Sequence, residues 1–170
     1  MADRYQTLDN GCKKLQEATT VSTGVAEAGD IIALDSTGKI DPSLLPTGVG
    51  ADVKMIVAGE AIDAGDFVNI YESGGSAFIQ KADNSNNRQA DGFVISAVTN
   101  GGLATVYFEG GNTALSGLTI GDRYYLDTAG NVTNVPVDPN TAAAGTLHQY
   151  LGKATSATEI CVEMDDKVVL

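Results

Sequence analysis

The apolar positions fall into two regimes. From Val53 onward they come as short alternating runs separated by Gly, Asn, Asp and Ser, the spacing of a sandwich or barrel. Strands are predicted at Val53 to Val57, Asp66 to Tyr71, Ala77 to Lys81, Gly92 to Val98, Ala104 to Phe108, Arg123 to Leu126, Asn131 to Asn134, His148 to Ala154 and Glu159 to Met164. Ser73-Gly74-Gly75, Asn100-Gly101-Gly102 and Thr128-Ala129-Gly130 are hairpin signals between them. Pro136 to Gly145 reads as an exposed loop.

Residues 1 to 50 differ. After Asp9-Asn10-Gly11-Cys12 the stretch is rich in Thr, Ser, Val, Ala and Gly up to Asp30, with apolar side chains too scattered to make a core. Ile31 to Leu34 then suggests a short strand, Asp35-Ser36-Thr37-Gly38 a tight turn, and Ile40, Leu44 and Leu45 a docked apolar plug among Pro42 and Pro46. That plug needs cover, either from its own domain or from a partner. The expectation is an extended N-terminal arm over 1–50 and a β-barrel or jelly-roll-like sandwich over 51–170.

The β region repeats itself. Ala64 to Tyr71 can be laid on Ile120 to Asp127, Gly92 to Ala97 on Gln149 to Ala154, and Ala104 to Glu109 on Ile160 to Asp165, with Gly-Asp before the first strand of each half. The fold class expected is therefore all-β, made of two similar β units sharing one core.

Composition narrows the function. The 170 residues suit one ordinary domain with an appendage, and 20 glycines with no Trp argue against a helical bundle. A net charge of −12 opposes binding to a phosphate backbone or an anionic membrane surface, so neither nucleic acid nor membrane is an expected partner. No apolar run reaches the roughly 20 residues that cross a bilayer. Met1 to Glu17 lacks the apolar core of a signal peptide, which implies synthesis in the cytoplasm.

Catalytic chemistry is thinly supplied. The one histidine, His148, stands at a strand start and reads as structural. Cys12 and Cys161 lack metal or disulfide spacing and read as free thiols, with Cys161 in the core; zinc is not expected, nor any other metal or cofactor. Asp83-Asn84-Ser85-Asn86-Asn87 resembles a calcium loop, but Arg88 stands where an EF-hand needs Gly and Val94 where it needs Glu, leaving a solvated hairpin loop. Gly48-Val49-Gly50, Gly74-Gly75 and Gly110-Gly111 lack the context of phosphate loops. Asn131-Val132-Thr133 matches a glycosylation acceptor without a secretory signal. Asp63, Asp66, Asp122, Asp127, Asp138, Asp165 and Asp166 show no spacing that selects an acid–base pair, and most read as turn caps. No catalytic residue is assigned, and the chain is expected not to be an enzyme.

Leu34-Asp35-Ser36-Thr37-Gly38-Lys39-Ile40-Asp41-Pro42-Ser43-Leu44-Leu45-Pro46, followed by Gly48-Val49-Gly50-Ala51-Asp52, looks like a phrase common in virion proteins of tailed bacteriophages. The following domain resembles their capsid cement, or head decoration, proteins. Its matching parts are Ala64 to Ile70, Gly92 to Val94, Ala104 to Gly110, Leu118 to Asp122 with Tyr125-Leu126, and Ala129 to Thr133. Together these cover most of residues 31 to 165, and their order is what carries the likeness. The resemblance implies a commonly trimeric β domain on the capsid exterior that clamps neighbouring subunits of the major capsid protein, with the arm as the capsid-binding element. Tyr5, Leu8, Leu15, Ile31, Ile40, Leu44 and Leu45 are the expected capsid contacts. Two rivals remain: a head or tail fibre or host-adhesion protein, which shares the arm phrase, and a small polymer hydrolase, which needs a carboxylate pair not found here.

Overall fold

The computed structural model describes residues 4–22, 28–36, 38–41, 44–45 and 52–170, and divides the chain into two compact units, Met1–Gly50 and Ala51–Leu170. All regular elements among the described residues, beyond a single turn at Leu44, are strands.

In the first unit, β1 (Arg4–Asp9) and β2 (Cys12–Glu17) pair antiparallel from Arg4↔Glu17 to Asp9↔Cys12. Asn10 and Gly11, at φ of 49° and 82°, make the two-residue turn whose twist suits a hairpin. The strand expected at Ile31 to Leu34 is reduced to one parallel bridge between Ile32 and Thr19. Pro42, Ser43 and Pro46 of the expected plug, and Gly48-Val49-Gly50, lie outside the described residues.

The second unit opens with a closed barrel in the order β3-β5-β4-β6-β7. Its strands are β3 (Val53–Ala58), β4 (Phe67–Ser73), β5 (Ser76–Lys81), β6 (Gly92–Phe93) and β7 (Leu103–Tyr107). Gly74 and Gly75, both at positive φ, turn β4 into β5 as the Gly-Gly pair predicts. A second sheet runs β10-β9-β12-β13-β8, from β8 (Gly110–Asn112), β9 (Arg123–Leu126), β10 (Val132–Thr133), β12 (Tyr150–Ser156) and β13 (Glu159–Val162). Short β11 (Leu147–His148) and β14 (Val168–Val169) pair apart from it.

The two units of the repeat are visible strand by strand. β5-β4-β6-β7-β3 in the barrel corresponds to β10-β9-β12-β13-β8 in the sheet. Gly65 N donates to Val94 O at 2.8 Å and Val94 N to Asp66 O at 3.1 Å; Gly121 N donates to Ala154 O at 2.9 Å and Ala154 N to Asp122 O at 3.0 Å. Asp66 Oδ2 meets Lys81 Nζ at 2.9 Å, and Asp122 Oδ2 accepts from Asn134 Nδ2 at 3.0 Å. These bonds align Gly92 with Gly152, and the pairs Phe93↔Tyr107 and Lys153↔Cys161 then align Tyr107 with Cys161, correcting the sequence alignment by three and two residues. What differs is closure: β3 pairs parallel with β5, whereas β8 and β10 stay apart. Part of the barrel bridges the gap, since Gly65 O accepts from buried Asn112 Nδ2 at 2.8 Å and Phe67 N donates to Gly130 O at 2.9 Å.

Side-chain alternation splits the interior in two. Ile56, Ala58, Val68, Ile79, Ala104 and Val106 point into the barrel with Ile62 and Val94. Phe67 and Phe93, 5.8 Å apart, point out of it and pack under Tyr124, Leu126, Leu151 and Ile160 of the second sheet. Burying each phenyl ring contributes about 1.5–3 kcal/mol. The units share one core, as expected, and the barrel encloses a second of its own.

Five expectations need correction. The run Gly92 to Val98 is a strand only at Gly92–Phe93, because Val94 bonds to Gly65 and Asp66 while Val98 bridges Ile62. Gly101 and Gly102 consequently bond to Ala58 in β3 rather than turning a simple hairpin. The run His148 to Ala154 breaks at buried Gln149, whose side chain ties Ala90 to Asp165. Cys161 is exposed, as its neighbours Ile160 and Val162 take the inward face of β13; Cys12 is exposed too, and both are free thiols. Asn84, placed in a solvated loop, is buried and donates to Leu126 O at 3.1 Å. Pro136 to Gly145 is mostly exposed, as expected.

Candidate functional site

The hairpin of the first unit has two unlike faces. Alternation puts Arg4, Gln6 and Leu8 of β1 with Lys13, Leu15 and Glu17 of β2 on one side, and Tyr5 with Gln16 on the other. The second side is tied down. Asp30 accepts from Gln16 Nε2, from Tyr5 Oη at 3.4 Å and from Thr19 Oγ1 at 3.1 Å, and Ile31 N donates to Tyr5 Oη at 3.3 Å. One carboxylate thus holds both strands and the segment that follows it. The opposite side is uncovered among the described residues: Leu8 is 72% and Leu15 62% exposed, with the Arg4–Glu17 ion pair of 2.8 Å at its end.

Beside the tied face, Arg4, Tyr5, Ala18 and Ile31 to Asp35 line an open groove of about 430 Å³. Ile31, Ile32 and Leu34 are all exposed. Asp35 then closes a turn, accepting from Gly38 N and, through Oδ1, from Lys39 N, both at 3.0 Å.

Of the seven expected contact residues, Leu8, Leu15, Ile31 and Ile40 are exposed, whereas Tyr5, Leu44 and Leu45 are half-buried. Leu8 and Leu15 share a face, and Tyr5 meets Ile31 through its hydroxyl. Tyr5 therefore organises the unit from inside. Ile32, Leu34 and Val21 are exposed as well and were not singled out in the sequence, although Ile32 and Leu34 flank a chosen residue in an apolar run.

The acidic and basic groups of the second unit are mostly committed to structure. Lys81 Nζ contacts Asp63 at 2.7 Å and Asp66 at 2.9 Å. Its hydrogen bond to Asp63 raises the ammonium pKa above the ordinary 10.5, burial works against this, and Asp66 adds to the rise. Asp83 accepts from Ser85 N, Ser85 Oγ and Ala129 N. Burial pushes its carboxyl up, but those three bonds and the charge of Arg88 outweigh it and leave the pKa below the ordinary 3.8. Asp138 accepts from Asn140 N at 2.9 Å, and Asp91 from Ile70 N at 2.7 Å.

His148 packs on Tyr125 at 4.9 Å, with Nδ1 buried and without a hydrogen-bond partner. Among the described residues no cluster of three His, Cys, Asp or Glu side chains could hold a metal, and no helix is long and apolar enough to cross a membrane. A separate exposed apolar set, Val53, Met55 and Leu103, lies on the outer face of β3 and β7.

No protein-family model and no curated protein matches the chain. Among solved structures it is similar to the head fiber gp8.5 N base of bacteriophage phi29, at 14% identity and a TM-score of 0.44, over 67% of this chain and 95% of that one. At that level of likeness the function has to be argued from this chain's own residues.

Proposed function

We propose that the chain is a structural protein of a tailed-phage virion that binds the capsid exterior through its first unit and clamps neighbouring major-capsid subunits. The observation that carries this reading is the exposure of Leu8, Leu15, Ile31, Ile32, Leu34 and Ile40 within fifty residues, whereas the second unit buries cores of its own. Exposed apolar surface on this scale, here on two faces of one small unit, is the mark of an interaction site. The phage-like phrase from Leu34 to Pro46 runs through the same stretch.

A clamp needs no catalytic group. Binding the assembled shell in preference to free subunits stabilises the shell by mass action. If the protein is a trimer, three first units act together and a modest affinity for each becomes a strong attachment. Mixing the purified protein with shells stripped of it, then heating them, tests the reading. Saturable binding with a higher shell disruption temperature is expected. Attachment to host cells with no effect on shells would establish the fibre or adhesion alternative instead.

A further inference from the structure

The segment from Ile31 to Leu34 has one satisfied edge and one open edge. Thr19 N donates to Ile31 O at 2.9 Å, Ala33 N donates to Thr19 O at 3.0 Å, and Ile31 N donates to Tyr5 Oη at 3.3 Å. The Ile31 N–H and C=O and the Ala33 N–H thus face the hairpin side. In an extended chain the next residues face the other way. The N–H and C=O of Ile32 accordingly point outward, and among the described residues neither these nor the backbone groups of Leu34 have a partner. The groove of about 430 Å³ runs along this segment, and Ile32 and Leu34 present exposed side chains beside it.

A row of free N–H and C=O groups flanked by apolar side chains has a specific complement. It is an extended polypeptide, whose backbone completes the hydrogen bonds and whose alternate side chains cover the apolar ones. A globular apolar surface would bury Ile32 and Leu34 but strand their backbone groups without water, at about 1–3 kcal/mol for each group.

We infer that the outer edge of Ile32 to Leu34 is an acceptor for an added β-strand, supplied by an extended segment of the protein to which the first unit attaches. This rests on the attachment proposed above. It adds to it the kind of partner segment and the backbone groups that recognise it.

Proline at position 32 is a clean probe. The Thr19 bridge uses only the backbone groups of Ile31, Ala33 and Thr19, so Ile32→Pro removes an outward donor and no existing bond. It also favours the extended form at residue 31. The full chain, alone and bound to stripped shells, is followed by hydrogen exchange at single amides. On binding, the Ile32 and Leu34 amides are expected to slow roughly tenfold or more. Ile32→Pro should weaken shell binding by roughly tenfold, about the worth of one hydrogen bond closed off from water, with protection of the β1–β2 amides unchanged. Ile32→Val, which keeps the N–H, should bind as the parent does.

Saturable binding with those two amides exchanging as in the free chain would overturn the strand pairing and leave the attachment standing. A chain that binds no shell overturns both. Protection of the same amides in the free chain, rising with its concentration, gives the edge to a second copy and also overturns the inference.

Discussion

Gly92 and Gly152 hold equivalent positions in the two β units, each pressed against the strand that follows it. A Cβ on Gly92 would lie 2.6 Å from Val106 Cγ1 and 2.8 Å from Tyr107 O; on Gly152 it would lie 2.7 Å from Ile160 Cγ2 and against the Cys161 carbonyl. The obstructing residues are themselves equivalent, since Tyr107 aligns with Cys161 and Val106 with Ile160. Gly92→Ala is expected to cost about 1–3 kcal/mol by overpacking. Gly152→Ala should cost more, because its φ of 153° adds backbone strain. Urea unfolding checks both, with a lowered midpoint at unchanged slope.

How far this duplication can be read from residues alone depends on what fixes it. Gly65-Asp66 and Gly121-Asp122 mark the same turn before β4 and β9, and they are visible as letters. The offsets of the later strands are set by backbone bonds from Val94 and Ala154 to those turns, for which a linear pattern has no signal. The β1–β2 hairpin is a different case. Asn10-Gly11 is the strongest short turn signal available, but the strands beside it are too polar to stand out in a search for buried alternation. The exposure of Leu8 and Leu15 is legible because they are large apolar residues in a polar stretch. The half-burial of Tyr5 is not legible, because it depends on its hydroxyl turning inward to Asp30, 25 residues away. Cys161 was misread as core because a continuous apolar run hides which alternate positions face out.

Gln149 gives a prediction about buried polar groups. Its Oε1 accepts from Ala90 N at 2.8 Å, and its Nε2 donates to Ala90 O at 2.9 Å and Asp165 O at 3.1 Å. The side chain joins segments 59 and 16 residues away and is only 4% exposed. Gln149→Leu keeps the volume but leaves the Ala90 amide and carbonyl buried without partners. A loss of about 2–4 kcal/mol is expected, read as a drop in melting temperature of the second unit.

Acid should unlock the loop held by Asp83. A carboxyl whose folded pKa is depressed stabilises the fold above its unfolded pKa and loses that contribution as pH falls through the folded value. Asp83 is depressed below 3.8, so its contribution is complete at neutral pH and fades in the acid range beneath that value. Asp83→Asn keeps the shape and removes the charge. It should melt lower than the parent at pH 7, by on the order of 1 kcal/mol, and the gap should close as pH is taken below 3.8. A gap that widens on acidification would refute the assignment.

The uncovered hairpin face separates attachment from folding. Leu8 and Leu15 are exposed and stand opposite Lys13 and Gln6 in the β1–β2 ladder, so neither contributes to either core of the second unit. Replacing both with Asp should change stability by no more than about 0.5 kcal/mol per site. On the proposed function the same double variant loses shell binding, because each carboxylate would have to be stripped of water against an apolar surface. Shell co-sedimentation alongside thermal melting decides it. Lost binding with unchanged melting supports docking through this face, whereas retained binding moves the contact to the groove beside Ile31 and Leu34 or to the second unit.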